Sequence, residues 1–208
     1  MRASPISSCI AGVLLATAFS ACSPIREPEA TSALPGKDYN VAIILVDTLR
    51  PDHLGCYGYD KATSPFIDTL AREGVLFENA RSASTFTGEA VAALFTGRPP
   101  AMSESGLGWT ARPAPVEESL PKLLEAAGYR TGIFSTSFVM RFKGFYDSFQ
   151  EAELFPDIAN TSELDEKLTD SALAFAERHR DVTNFQYLHF YAPHAPYNPP
   201  ETFLAPFA

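Results

Sequence analysis

Residues 40–65, NVAIILVDTLRPDHLGCYGYDKATSP, decide how the chain is read. Six apolar residues, Val41 to Val46, are mostly β-branched and stop at an acid, Asp47. A short unbroken apolar run of that kind predicts a strand buried on both faces, as in a parallel sheet. Ligands of open α/β sheets sit just beyond the carboxyl ends of the strands. Asp47 therefore stands where a ligand-binding carboxylate belongs, with Pro51, Gly55 and Gly58 shaping the loop behind it. An Asp that only caps the following turn fits the same spacing.

Working outward, 208 residues give room for one domain with a sizeable core. The net charge is −9 and no basic cluster stands out, which argues against nucleic acid, whose binding depends on neutralising phosphates. An anionic substrate would need a local metal or a patch of Arg and Lys. The cysteines are Cys9, Cys22 and Cys56, and only Cys56 is expected to remain a free thiol, so no disulfide framework is predicted.

Residues 1–21 carry Arg2 and then a small, apolar run from Ile10 to Phe19. That run is too short to span a bilayer permanently and fits a secretory signal. Phe19-Ser20-Ala21-Cys22 resembles a bacterial lipobox, which implies cleavage before Cys22 and lipidation of its thiol; an ordinary signal peptide cut nearby is the alternative. Either way the mature protein is expected outside the cytoplasm. An acylated Cys22 would anchor it to the membrane of a bacterial envelope, and Ser23 resembles outer-membrane sorting. Residues 22–38, with three prolines and one glycine, read as a tether.

Beyond the opening loop, Ser64 suits an N-cap, Pro65 a first turn and Gly74 a stop. Phe66, Ile67, Leu70 and Ala71 of this helix are expected to pack on the sheet, and 75–77 to form a short strand. In ASTFTGEAVAALFTGRP (83–99), Gly88 onward predicts a helix closing at Gly97. Thr87 then sits at a loop-to-helix junction, where backbone N–H groups favour anions. A nucleophilic hydroxyl fits that place, and so does a simple helix cap. Residues 98–116 read as a long loop containing Trp109. A helix is predicted from Ser119 to before Gly128, with Leu120, Leu123, Leu124 and Ala127 on its buried face, then a strand over 128–136. Arg141 and Lys143 read as a solvated loop. Ser162 to Arg180 predicts an amphipathic helix, with Ser162 and Asp165 as a capping box and Leu164, Leu168, Ala172, Phe175 and His179 on one face. His179 is explained by the helix dipole. Asn184 to Tyr191 predicts another strand, in which His189 reads as a packed core residue.

VDTLRPDHLGCYGY (46–59) followed by TSPFIDTLA (63–71) resembles the opening motif of the sulfatase family, within the alkaline-phosphatase-like superfamily. LFTG (94–97), GYRTGIFST (128–136) and the stretch from His189 to Tyr197 resemble further landmarks, so the likeness is nearly continuous over 40–205. The resemblance implies an α/β fold, a mostly parallel sheet with helices on both faces. It makes residues 39–208 the N-terminal portion of a sulfatase-like domain. Asp47 takes the place of a ligand for a divalent cation, commonly calcium, while Thr48 replaces a second Asp that many sulfatases carry. Thr87 falls at the nucleophile position, where sulfatases carry a Cys or Ser converted to formylglycine; Glu89 and Val91 stand at the motif's Pro and Arg. A Thr oxidised at Cβ would give a ketone, so that modification is not expected. Relatives in the superfamily use an unmodified Thr on phosphate esters. His194 takes the position of a substrate-contacting His that could protonate a leaving group, whereas the family's Lys-x-His pair has no counterpart in STSFVMRFKGF (135–145).

The implied function is a metal-dependent hydrolase of sulfuric esters, with phosphoric esters or phosphoryl transfer suggested by Thr87. Its substrate would be a small-molecule or glycan ester. A C-terminal half would supply an Asp-His-Gly or Asp-Asn segment to complete the cation site. The alternative is an inactive fragment or pseudoenzyme lipoprotein that retains the fold.

Overall fold

A computed structural model describes residues 39–99, 118–142, 145–155, 161–197 and 199–204. The expected signal segment, the tether with Cys22, most of the 98–116 loop including Trp109, and Lys143 lie outside the described residues, as does the side chain of Arg141. No helix among the described residues is long and apolar enough to cross a membrane.

In chain order the elements are β1 (Val41–Val46), α1 (Pro65–Glu73), α2 (Thr87–Thr96), α3 (Leu120–Ala126), β2 (Arg130–Ser135), α4 (Phe138–Phe142), β3 (Glu151–Leu154), α5 (Thr161–Arg178) and β4 (Asn184–Phe190). The four strands form one parallel sheet in the order β1-β4-β2-β3. Their register aligns three carboxyl ends: Val46 pairs with Phe190, and Ser135 with His189. Past the last paired residues the ladder continues, because Asp47 N–H donates to the Phe190 carbonyl at 2.9 Å and Thr136 N–H to the His189 carbonyl at 3.0 Å.

Strand periodicity sends alternate residues to opposite faces. Phe185 and Tyr187 of β4 and Ile133 of β2 join Val91, Ala92 and Phe95 of α2 in one core, closed by Met140, Phe145 and Phe149. Phe134 of β2 packs on the other face with Leu168, Ala172 and Phe175 of α5. Phe95 meets Tyr187 edge-on at 4.9 Å, and Phe149 lies nearly parallel to Phe185 at 5.8 Å, the offset and T-shaped contacts that aromatic quadrupoles favour. Helices thus cover both faces, as the α/β reading expected.

Four local expectations are corrected. β1 is not buried on both faces: among the described residues it lies at one edge of the sheet, and Ile44 is 60% exposed. Residues 75–77 form no strand, and Val75 is 80% exposed. The apolar residues Phe66, Ile67 and Leu70 of α1 remain exposed, because α1 lies against the loop after β1 rather than on the sheet. Leu123 and Ala127 of α3 face solvent, while Leu120 and Leu124 pack against the core. Amphipathic spacing states which residues share a helix face; the strands that would cover that face decide whether it is buried.

The predicted side-chain cap of α1 works differently, while the Ser162 side chain of the expected capping box lies outside the described residues. The Ser64 hydroxyl does not cap α1. It accepts from Gly55 N–H at 3.0 Å and donates to Asp68 Oδ1, which also takes Cys56 N–H at 2.8 Å. This cluster fixes the loop behind Asp47, and a Cβ on Gly55 would lie 2.5 Å from Asp68 Oδ2. Asp165 accepts the Thr136 hydroxyl at 2.9 Å, which places its carboxylate against the end of β2.

Candidate functional site

β1 ends at Asp47, where the backbone leaves the sheet sharply: Thr48 has φ of 54°. A β-branched residue in the left-handed region is strained by about 1–3 kcal/mol, and such strain collects at functional sites. α2 starts alongside, so its first residue, Thr87, faces the end of β1 from across the sequence. Ser84 organises that start: its hydroxyl accepts from Phe86 N–H at 3.1 Å and donates to Glu89 Oε2 at 2.7 Å. Glu89 is buried in the first helical turn, where a carboxylate is favoured by the helix dipole. It is therefore tied to its own helix start.

The Thr87 hydroxyl donates to Asp47 Oδ2 at 3.1 Å, and Oδ1 is 3.5 Å away. From the core side, His189 Nε2 approaches Asp47 Oδ2 at 3.3 Å, and His189 Nδ1 meets the Tyr187 hydroxyl at 3.0 Å. Burial pushes the Asp47 carboxyl up. The hydrogen bond and charge of His189, the Thr87 hydroxyl and the charge of His194 outweigh that and hold it below the usual 3.8. Asp47 and Thr87 line a cavity of about 440 Å³ with Thr48, Ser82, Ser84 and Thr85. Leu45, Val46, Leu49, Ala90 and Val91 form the apolar remainder of the wall, so the hydroxyls cluster around one carboxylate in a largely apolar cavity.

His194 is not hydrogen-bonded to this pair. It lines a neighbouring cavity of about 410 Å³ with Asp165, Tyr197 and Phe203. Its ring stacks on Tyr191 with centroids 4.4 Å apart, and its Nδ1 is 2.7 Å from the Ala195 carbonyl oxygen. Asp165 has its carboxyl pushed up by burial, against the opposing hydrogen bond from Thr136.

The structure thus brings Asp47 and Thr87 together and leaves His194 within electrostatic reach of Asp47. Sequence reasoning took His189 for packing alone. It is fully buried, and it also touches the site carboxylate. His189 pairs in register with Leu45, two residues before Asp47, a relationship set by the pairing of β1 with β4 and carried by no signal in the sequence. Val91, at the position of the family's Arg, is fully buried in the core.

The donor set does not by itself make a calcium site. That ion takes about 6–8 oxygen ligands. Among the described residues no three His, Cys, Asp or Glu side chains converge on one point. Asp47 supplies one carboxylate, and Oδ2 is already engaged by Thr87 and His189.

With this geometry in place, similarity to known proteins can be weighed. The Sulfatase family profile matches residues 39–208. Steryl-sulfatase of Rattus norvegicus is 36% identical over 112 residues, covering 49% of this chain and 19% of that protein. A structure solved in complex with its substrate, D-glucosamine-2-N,6-O-disulfate, aligns with a TM-score of 0.68 at 20% identity, over 81% of this chain and 37% of that one. The phosphonate monoester hydrolase of Agrobacterium radiobacter aligns with a TM-score of 0.62 at 20% identity, over 79% and 43%. At that identity the two structures speak for the fold alone. The chain spans about a fifth of the length of the curated relatives it matches first.

Proposed function

Because the chain belongs to the sulfatase family, we propose that it carries the nucleophile-bearing part of a metal-dependent hydrolase of sulfuric esters, with phosphoric esters or phosphoryl transfer open to it through Thr87. The observation that carries this reading is the 3.1 Å hydrogen bond between the Thr87 hydroxyl and Asp47 at the carboxyl end of a parallel sheet. It puts an oriented hydroxyl beside a carboxylate, inside a cavity and at the start of a helix. In the proposed reaction Thr87 Oγ bonds to the sulfur or phosphorus as its proton passes to Asp47 Oδ2, the acceptor of its hydrogen bond. The bond from the sulfur or phosphorus to the ester oxygen breaks. The ester alcohol leaves and gains a proton, for which His194 is the proposed donor. Water then cleaves the threonine ester. Asp47 is the proposed cation ligand, calcium being the expected ion. Further carboxylate ligands would come from outside the described residues. The substrate would be a small-molecule or glycan sulfate or phosphate ester. Export and lipid anchoring through Cys22 in a bacterial envelope belong to the same proposal.

The second reading is a chain that keeps the fold without turnover. It is favoured by the buried Val91 where the resemblance expects an Arg, and by the lack of a cluster of three His, Cys, Asp or Glu around Asp47 among the described residues. One experiment separates the two. Thermal unfolding of the purified chain is followed with and without calcium, and sulfate and phosphate ester assays are run with Thr87→Ala as control. Calcium at about 100 times its Kd would stabilise a binding-competent chain by about 2.7 kcal/mol. A shift together with Thr87-dependent hydrolysis supports the enzyme. Neither effect supports the non-catalytic fold.

A further inference from the structure

We propose that His189 is a positioning residue of the site: Tyr187 fixes its ring, and its Nε2–H in turn fixes the Asp47 carboxylate that receives the Thr87 hydroxyl. The inference rests on the reading of Asp47 and Thr87 as site residues, and it gives a role at the site to the buried histidine that opens the 189–197 stretch.

The geometry is a continuous chain of polar contacts. Thr87 Oγ1 is 3.1 Å from Asp47 Oδ2, Asp47 Oδ2 is 3.3 Å from His189 Nε2, and His189 Nδ1 is 3.0 Å from the Tyr187 hydroxyl. Both His189 and Tyr187 are fully buried. They are two residues apart on one face of β4, the face that carries the α2 core. With an ionised Asp47 and a neutral imidazole, one proton arrangement satisfies every member of the chain, whereas an imidazolium would donate from both ring nitrogens. Burial, with a contribution from the Asp47 charge, pushes the Tyr187 phenol up, so its hydroxyl keeps its proton and donates to Nδ1. Nδ1 is then the acceptor, the ring proton sits on Nε2, and Nε2–H donates to Asp47 Oδ2. A buried polar group left without a partner costs free energy. Turning the carboxylate away would orphan Nε2, and turning the ring would orphan the phenol.

The consequence is directional. His189 and Thr87 both claim Oδ2, while Oδ1 has only the longer 3.5 Å contact with Thr87. The carboxylate is held from behind by β4 and from the side by α2, so one oxygen orients the hydroxyl and the other remains for a ligand. An imidazole that fixes a functional carboxylate in this way is a recurring outer-shell device.

Side-chain NMR on the full chain tests this without any ester turnover, so a failed activity assay and a failed His189 assignment remain distinguishable. Long-range proton–nitrogen spectra of labelled histidine report which ring nitrogen carries the proton. The expected result is a protonated Nε2 and an unprotonated Nδ1, with Tyr187→Phe shifting the Nδ1 resonance. In His189→Leu the Thr87 methyl resonance is expected to move, and His189→Gln, whose amide can still donate to Asp47, is expected to bring it back towards the wild-type position. A proton on Nδ1, or a Thr87 resonance that moves equally in the Leu and Gln variants, would overturn the proposal. If His189→Leu does not fold, the tautomer in the wild-type chain and its response to Tyr187→Phe still decide.

Discussion

Thr87 and Asp47, forty residues apart in sequence, meet through a 3.1 Å hydrogen bond that joins the start of α2 to the end of β1. That bond brings the proposed nucleophile and the proposed cation ligand together in one cavity. Removing it by Thr87→Ala should leave the fold intact. One net hydrogen bond is worth about 1 kcal/mol, and Asp47 keeps its contact with His189. Urea unfolding is expected to show that small loss, with ester hydrolysis falling to the uncatalysed level. Hydrolysis that survives Thr87→Ala would assign the nucleophile elsewhere.

Val91 measures how far this chain has moved from the family's cation. It is fully buried among Phe95, Ile133 and their neighbours. Although Val91 borders the cavity that holds Asp47, its side chain is enclosed by the core, so Val91→Arg would force a charge into an apolar site at a cost of about 3–5 kcal/mol. Thermal unfolding should show a large loss of stability and no gain in sulfate affinity. A stable Val91→Arg chain that binds sulfate would mean that the guanidinium extends into the cavity that Val91 borders and meets an anion there.

Asp165 and Glu151 should respond to pH in opposite ways. Asp165 has a raised folded-state pKa, chiefly from burial, so its ionisation opposes folding as pH rises through the carboxylate range. Asp165→Asn, which keeps an acceptor for Thr136, is expected to raise the melting temperature near pH 7 and to have no such effect in acid below the ordinary carboxylate value.

For Glu151, burial raises the carboxyl, but the hydrogen bonds from Arg178 and His179 and their charges outweigh it and hold it below 4.5. Its contribution is present above the ordinary carboxylate value and is lost as pH falls through the lowered one. Glu151→Gln should therefore destabilise near pH 7 and match the wild type in strong acid. Melting curves across pH check both variants, and the same sign in both would refute the assignment.

Ile44 projects from the edge strand β1 and is 60% exposed. Open apolar edges invite pairing with other chains. Ile44→Lys is expected to change unfolding free energy by no more than about 0.5 kcal/mol while reducing self-association in sedimentation experiments. A large loss of stability would show that the strand is covered in solution.

The likeness to the sulfatase family was legible in the chain itself because it rides on local pattern. A β-branched run ending in Asp47, the glycine-punctuated loop after it and the LFTG close of α2 each follow from neighbours in sequence. The amphipathic period of α5 was legible in the same way, and Leu168, Ala172 and Phe175 are buried as that period requires. Tertiary structure alone decided which strand lies at the edge, and hence that β1 and the apolar residues of α1 face outward. It also decided that His189 serves the site as well as the core. No spacing within Asn184–Tyr191 reveals that contact, because Asp47 is brought beside His189 by the parallel pairing of β1 with β4 across more than a hundred residues. Local propensity acts along the chain, whereas a site at the end of a parallel sheet is assembled by register between strands.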